Sequence, residues 1–510
     1  MAAQRARSGA PALDRAPGWL IPAGLAVLPF MVYGRFLFLG DELSNADVFL
    51  AYRPAHAWLA EGLRQGHVPL WNPYLLGGFP LAFSEYGWFS PLNWLPLLLL
   101  GPHAGFYAAV ACYVALAGVM AYGLARAWGA AVPGATLAGL VYGQSLFVVG
   151  GAPLLNQGAA YWALPALLWC ADRHLRGRRM AAPALAAVLA LTLLGSHPQL
   201  AILASAPAGI YLLWRTFVTR RARLLLPLIG AAALGAAVGA VRYLPTLSLV
   251  AASERAGGLA PSAQALGSVS PVALLAGLAL PSLRLPLNLV DPQWTAYLGP
   301  LPLLLAAVGL RRIGWRGSRR RDAARRADVD RAGVRPPDAR HSGRFLVMLG
   351  AAGTLLAFGG YTPAYWAISR TPLLAYFREP SRFLLWTVLA VAVLAAWGLD
   401  ALTPSSPTAR GTPGIGRTEV SSTGAIRPSN GSGRWWWAAV VLLILATAGL
   451  GAVHGALRWN ERAILNTGRL RAVAQARPGD DYPTSFYVEG VDAAWRQALR
   501  ATNPLHPGLL

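Results

Sequence analysis

Apolar runs close to the length of a membrane crossing recur from Leu20 to Val453, separated by short connections that carry arginine. The pattern predicts helices at about 20–39, 104–126, 133–150, 159–172, 181–196, 199–217, 224–241, 294–310, 345–359, 383–399 and 435–453. The expected fold is an all-α polytopic membrane protein of about 11 transmembrane helices, because helices satisfy their own backbone in lipid.

Between the first two runs the period changes. In "SNADVFLAYRPAHAWLAEGLRQGHVPLWNP", residues 44–73, Ser44 and Asp47 have the S-x-x-D spacing of a capping box. Val48, Tyr52, Ala55 and Leu59 then form one apolar stripe, with Arg53, His56, Glu61 and Arg64 mostly off it. This predicts an amphipathic helix, kinked or restarted at Pro54, lying on the external leaflet. The prolines and the glycine pair of "WNPYLLGGFP" predict a structured turn back toward the membrane.

Charge then orders the topology. Of 510 residues 55% are hydrophobic and only 13% charged, where a soluble protein carries roughly 25%. The net charge of +23 comes from 44 basic residues, all arginine, against 21 acidic ones. A basic excess can signify a nucleic-acid partner, but these arginines cluster in alternate connections. They fill 172–179, 215–223 and 311–344, the last with twelve arginines against four aspartates. The positive-inside rule therefore predicts a multi-pass membrane protein, its N-terminus cytoplasmic, with no nucleic acid as partner.

The expected organisation is a cytoplasmic tail at 1–19 and a membrane core at 20–402, with an external loop at 40–102 and a cytoplasmic loop at 311–344. A disordered cytoplasmic linker at 403–434, a last helix at 435–453 and an external tail at 454–510 complete it. "GTPGIG" at 411–416 follows no strand and opens no helix, so it is not a phosphate loop. Cys112 and Cys170 lie in apolar segments without ligand spacing and are expected in the core.

The external face then collects the loop 40–102, the turn "GSHPQ" at 195–199, the segment 242–293 and "YFREPSRF" at 376–383. Asp47, a few residues past the first helix, lies at headgroup depth, where a lipid-linked substrate presents its phosphate. Its plainer alternative is a helix cap. Asp41, Glu42 and Glu85 compete for the same role, and Asp47 with Glu85 could hold a divalent cation on a phosphate. Arg378 and Arg382 suit phosphate oxygens, with Arg242 a weaker candidate; their alternative is snorkelling to the interface. His197 and Gln199 either contact a sugar or phosphate or bond the carbonyls of their own turn. Trp71 and Asn72 could stack on and hydrogen-bond a sugar, though Trp71 also suits an interface anchor.

The order "AD-x5-RP", "LWNPYLLGGFPL", "SPLNWLPLLLL", followed by "GSHPQ", "YLGPLPLLLA" and "FREPSRFLLWTVLAVAVLAAWGLDAL", resembles YfhO-type bacterial membrane proteins over about residues 20–402. These are related to the GT-C class of polyprenyl-phosphate-sugar glycosyltransferases. The resemblance implies a GT-C-like membrane enzyme with a catalytic acidic residue, a general base, in its first external loop, at the position of Asp47. It implies a polyprenyl-phosphate sugar lipid as donor, a cell-envelope acceptor and surrounding membrane lipids. A transporter or flippase of lipid-linked saccharide is the rival, although no paired internal halves are visible. A non-catalytic envelope scaffold is the other.

Overall fold

The computed structural model describes residues 18–403 apart from 44, 46, 75–76, 81–85, 221, 254, 272–273, 275–276, 279–295, 314–338 and 372–373. The expected linker, last helix and external tail after 403, most of the N-terminal tail, and Glu85 lie outside these residues.

The described chain is helical almost throughout. In order come α1 (Leu20–Val32), α2 (Gly34–Phe38), α3 (Arg53–Arg64), α4 (Pro91–Ala127), α5 (Val132–Gly143), α6 (Leu146–Gly151), α7 (Leu155–Tyr161) and α8 (Ala163–Leu175). Then follow α9 (Ala181–Gly195), α10 (Pro198–Thr219), α11 (Leu225–Ala251), α12 (Pro300–Leu310), α13 (Ala339–Ala357), α14 (Pro363–Ser369) and α15 (Leu384–Leu402). Every expected segment from 20–39 to 383–399 overlaps helix among the described residues, although the one expected from 294 begins its helix only at Pro300. Among the described residues five helices are long and apolar enough to cross a membrane, while others are shorter or broken.

The breaks have local causes. Gly101 inside α4 takes φ 80° and ψ −179°, a conformation open to glycine, and Pro102 after it disfavours helical geometry at that position. Residues 91–100 are therefore a separate helical arm ahead of the apolar run from 104. Ser145 interrupts the segment predicted at 133–150 and caps α6, its Oγ accepting from the Val148 amide at 3.3 Å.

α15 is the axis of the core. Leu384, Leu385, Val388, Leu389, Ala392, Val393, Ala395 and Ala396 are wholly buried, against α5, α12 and α13. Small residues allow the closest approach: a Cβ on Gly309 would collide with the Leu394 carbonyl, and one on Gly398 with the Leu305 carbonyl.

Polar contacts tie helix termini together at the two ends of the bundle. At one end Arg176 donates to the Ala127 carbonyl at 2.7 Å and to Asp172 at 2.6 Å. There too His174 meets the Leu224 carbonyl at 3.0 Å, and Asp400 of α15 accepts from the Ala131 amide at 2.6 Å. The first loop, the 195–199 turn and the segments 255–270 and 357–383 gather at the other end.

The first loop breaks at Pro54 as expected, and departs from expectation in its cap, in what covers its apolar stripe and in the burial of His56. Val48–Tyr52 is a single π-helical turn leading into α3, since Pro54 has no amide to offer the carbonyl four residues earlier. The cap is Asn45, whose Oδ1 accepts from the Val48 amide at 3.1 Å, so Asp47 is no member of a capping box. The apolar stripe faces protein rather than lipid: Val48 and Tyr52 enter the main core, and Ala55 and Leu59 pack with Trp88 and Leu97. His56, expected off the stripe, is fully buried with Nδ1 2.7 Å from the Tyr52 carbonyl. The returning arm is a small antiparallel hairpin, β1 (Trp71–Asn72) against β2 (Phe79–Pro80).

Candidate functional site

At the loop end of the bundle a cavity of about 150 Å³ is lined almost wholly by polar side chains. One wall comes from the N-terminal half: Asp47 and Tyr52 of the π-helical turn, Asn156 and Gln157 at the start of α7, and His197 and Gln199 at the start of α10. The other wall is Arg255 with the run Phe377, Arg378, Glu379 and Arg382. Five residues singled out from the sequence, Asp47, His197, Gln199, Arg378 and Arg382, thus meet in one place.

The walls are held by backbone and side chain together. The amide of His197 donates to the Asn156 carbonyl at 3.0 Å, and Tyr52 donates its hydroxyl to Asn156 Oδ1 at 2.9 Å. Tyr161 donates to Gln157 Oε1 at 2.7 Å. On the opposite wall the Leu259 amide donates to the Ala375 carbonyl at 2.9 Å, and the Gln264 amide side chain reaches that carbonyl at 3.1 Å. The Glu379 and Ser381 amides bond the carbonyls of Leu266 at 2.8 Å and Gly267 at 3.2 Å. Gly267 has φ 77°, and a Cβ there would stand 3.1 Å from the Glu379 Cα. These bonds lace the chain before α12 to the chain before α15, so Arg255 and Glu379 belong to one wall.

Arg382 spans the cavity floor. It is buried, and Nη1 donates to Gln199 Oε1 at 2.8 Å while Nη2 lies 2.6 Å from Glu379 Oε2. Nη1 is also 3.3 Å from each ring nitrogen of His197, so the guanidinium lies across the imidazole rather than bonding one nitrogen in plane. The Gln199 amide donates to His197 Nδ1 at 3.2 Å, which leaves the ring proton on Nε2. His197 therefore does both things foreseen for it: it shapes its own turn and faces the cavity.

Glu379 carries the backbone strain of the site. Its φ of 63° is one of two positive values at non-glycine residues among those described, the other being Arg220. Its carboxylate bridges Arg382 and Arg378, with Arg378 Nε at 3.7 Å. Asp47 is different. Asn45 has taken over the capping, and the Asp47 carboxylate accepts no hydrogen bond from any described residue.

The remaining candidates sit elsewhere. Asp41 pairs with Arg35 at 2.7 Å. Glu42 pairs with Arg53, accepts from Tyr107 at 2.8 Å and lies 3.4 Å from His103. Arg242 is buried behind the 195–199 turn, donating to the carbonyls of Leu193 and Ser196 instead of lining the cavity. Trp71 is exposed, and Asn72 accepts from the Tyr74 amide at 2.9 Å, a local turn contact. Glu85 is outside the described residues, and among those described no group of three or more His, Cys, Asp or Glu is placed to hold a metal ion.

Sequence reasoning missed Arg255, Glu379, Tyr52, Asn156 and Gln157. Glu379 stood inside the quoted motif, and the Asn-Gln pair in an otherwise apolar stretch is itself a signal, since polar groups at such depth need partners. Arg255 offered no local signal beyond its segment.

No protein-family model matches the sequence, and no curated protein matches it. Among solved structures the chain is similar to the crystal structure of ArnT from Cupriavidus metallidurans bound to undecaprenyl phosphate, at 15% identity and a TM-score of 0.43. That likeness covers 96% of this chain and 75% of the other. A likeness of that size carries no chemistry from one protein to the other; what this chain can do has to come from its own cavity.

Proposed function

We propose that this chain is an integral membrane glycosyltransferase of GT-C-like fold, moving a sugar from a polyprenyl-phosphate donor to an extracytoplasmic cell-envelope acceptor. The observation that carries the reading is the convergence of an unengaged carboxylate, Asp47, with three arginines on one small polar cavity at the loop end of the helices.

Asp47 is the general base. The acceptor hydroxyl gives its proton to the carboxylate while its oxygen attacks the anomeric carbon. The bond from that carbon to the phosphate oxygen breaks, and the polyprenyl phosphate leaves with the electron pair. A phosphate is a good leaving group without an acid, so cations suffice on that side. Arg378 and Arg382 supply guanidinium groups that stay charged in a low-dielectric site and present paired donors to phosphate oxygens. Gln199, His197 and Glu379 hold the Arg382 fork in one orientation. A direct single displacement inverts the anomeric centre. Glu379 is a poor second base, because its carboxylate is already engaged by Arg382 and Arg378.

The test is sugar transfer from labelled polyprenyl-phosphate sugars in membranes expressing the chain, with wild type against Asp47→Asn at matched expression. Transfer should fall about 10²–10⁴-fold in the variant. Its thermal stability should not change, because the carboxylate is no cap and no described residue bonds it. Unchanged transfer would remove Asp47 from the chemistry. Movement of the lipid-linked sugar between leaflets without transfer would favour the flippase reading instead.

A further inference from the structure

We infer that the cavity chooses its lipid-linked sugar by phosphate charge, favouring a singly charged phosphodiester over a diphosphate, and that Glu379 sets this preference. The inference rests on the function proposed above and concerns which donor that function uses.

Among the described lining residues three arginines, Arg255, Arg378 and Arg382, face two carboxylates, Asp47 and Glu379, a surplus of one positive charge. The surplus is not evenly placed. Arg382 is committed, with Glu379 at 2.6 Å and Gln199 at 2.8 Å. Arg378 is half exposed and lies 3.7 Å from the same carboxylate. The Arg255 guanidinium makes no hydrogen bond or ion pair among the described residues. Glu379 thus offsets one of the three positive charges among the described lining residues while orienting the Arg382 fork, and the net surplus of one charge faces the ligand.

A neutral side chain could have anchored Arg382. An amide oxygen accepts from a guanidinium, as Gln199 already shows at 2.8 Å. What the carboxylate adds is a negative charge, held on a strained backbone at φ 63° with its side chain only 19% exposed. In a partly buried cavity an unbalanced charge is costly, so binding is strongest where the ligand brings the total to neutrality. A sugar phosphodiester carries one negative charge and does so. A sugar diphosphate carries two and leaves one in excess. Glu379→Gln raises the surplus to two and moves the optimum to the diphosphate. Arg255→Gln removes the surplus in the other direction.

The experiment measures binding of a polyprenyl phosphohexose and a polyprenyl diphosphohexose of equal chain length to the full chain in neutral-lipid nanodiscs at pH 7. Wild type should favour the monophosphate, and Glu379→Gln should shift the affinity ratio about tenfold toward the diphosphate. Arg255→Gln should weaken both ligands, the diphosphate more. A ratio that does not move in Glu379→Gln overturns the inference. Should that variant fail to fold, Arg255→Gln decides alone, since its side chain holds no described residue; an unchanged ratio there overturns the inference equally. Equal affinity of wild type for both probes, with transfer still lost in Asp47→Asn, overturns the charge count and leaves the proposed function standing. Binding of neither probe by wild type overturns both.

Discussion

Replacing Arg382 by glutamine removes a side chain that ties both walls of the cavity together. The guanidinium is 7% exposed, so its contacts are screened little by solvent. Its bond to Gln199 Oε1 at 2.8 Å is charge-assisted and contributes about 1.5–3 kcal/mol. Its loss also strips Glu379 of the cation at 2.6 Å, and breaking such a pair from one side costs about 3–5 kcal/mol when both partners are buried. Here the cost falls below that range, because Glu379 keeps 19% exposure and still has Arg378 at 3.7 Å. Glutamine restores part of one bond, and a net loss of about 3 kcal/mol follows. Arg382→Lys keeps the charge without the fork and should lose about half as much. For a chain of this length about 1–2 °C accompanies each kcal/mol, so Tm in detergent at a fixed scan rate should drop by about 3–6 °C. Pairing Arg382→Gln with Gln199→Ala should give less than the sum of the single losses, by about 1–2 kcal/mol, because the second change removes a bond already gone. A Tm within one degree of wild type, or strictly additive losses, would show that these contacts do not hold the two walls together.

Two further expectations concern the surrounding fold. Gly398→Ala places a methyl group against the Leu305 carbonyl at the tightest crossing of α12 and α15; it should cost about 1–3 kcal/mol and lower Tm, while Ala401→Ser, at an exposed position near the end of α15, should not. Burial pushes the pKa of His56 down from 6.5 to about 4. The unfolded chain then takes up this proton near pH 6.5 and the folded chain only near pH 4, so stability falls as pH drops through that window, by up to about 3 kcal/mol. His56→Gln should lose less Tm than wild type between pH 7.5 and 4.5, each compared with itself; an equal loss would place the sensitivity elsewhere.

Helix positions were largely legible in the sequence because the signal is additive over many residues: each run is apolar enough to register whatever its neighbours do. Breaks within the runs were less so. Gly101 and Ser145 act through one backbone conformation and one cap, which a hydropathy pattern averages away. The stripe Val48, Tyr52, Ala55 and Leu59 reads in the sequence as one covered face suited to lipid, and the structure covers it with protein. Periodicity tells that a face is covered and not by what. The same limit applies to the site. Asp47, His197 and Arg382 stand out as polar groups at the margins of apolar runs, yet nothing local says that they meet. Arg242 satisfied the same criterion and is instead used by carbonyls behind the turn. Glu379 carries no such mark in the sequence, because its importance lies in a backbone angle and an ion pair that only the assembled chain displays.

The bond from Arg382 to Gln199 links residues 183 positions apart. During synthesis, therefore, the α10 end of the cavity is complete long before the ribosome has made the arginine that closes it. Until α15 arrives, Gln199 and His197 lack their cation, and Asp47 faces a half-built cleft without Arg378 or Arg382. A nascent chain at that stage holds the carboxylate and Arg255 but not the segment to which the Arg255 wall is laced, and it has little hold on an anionic lipid passing by. Competence for the lipid arrives in one late step, with the docking of α15, the most buried of the five long apolar helices among the described residues.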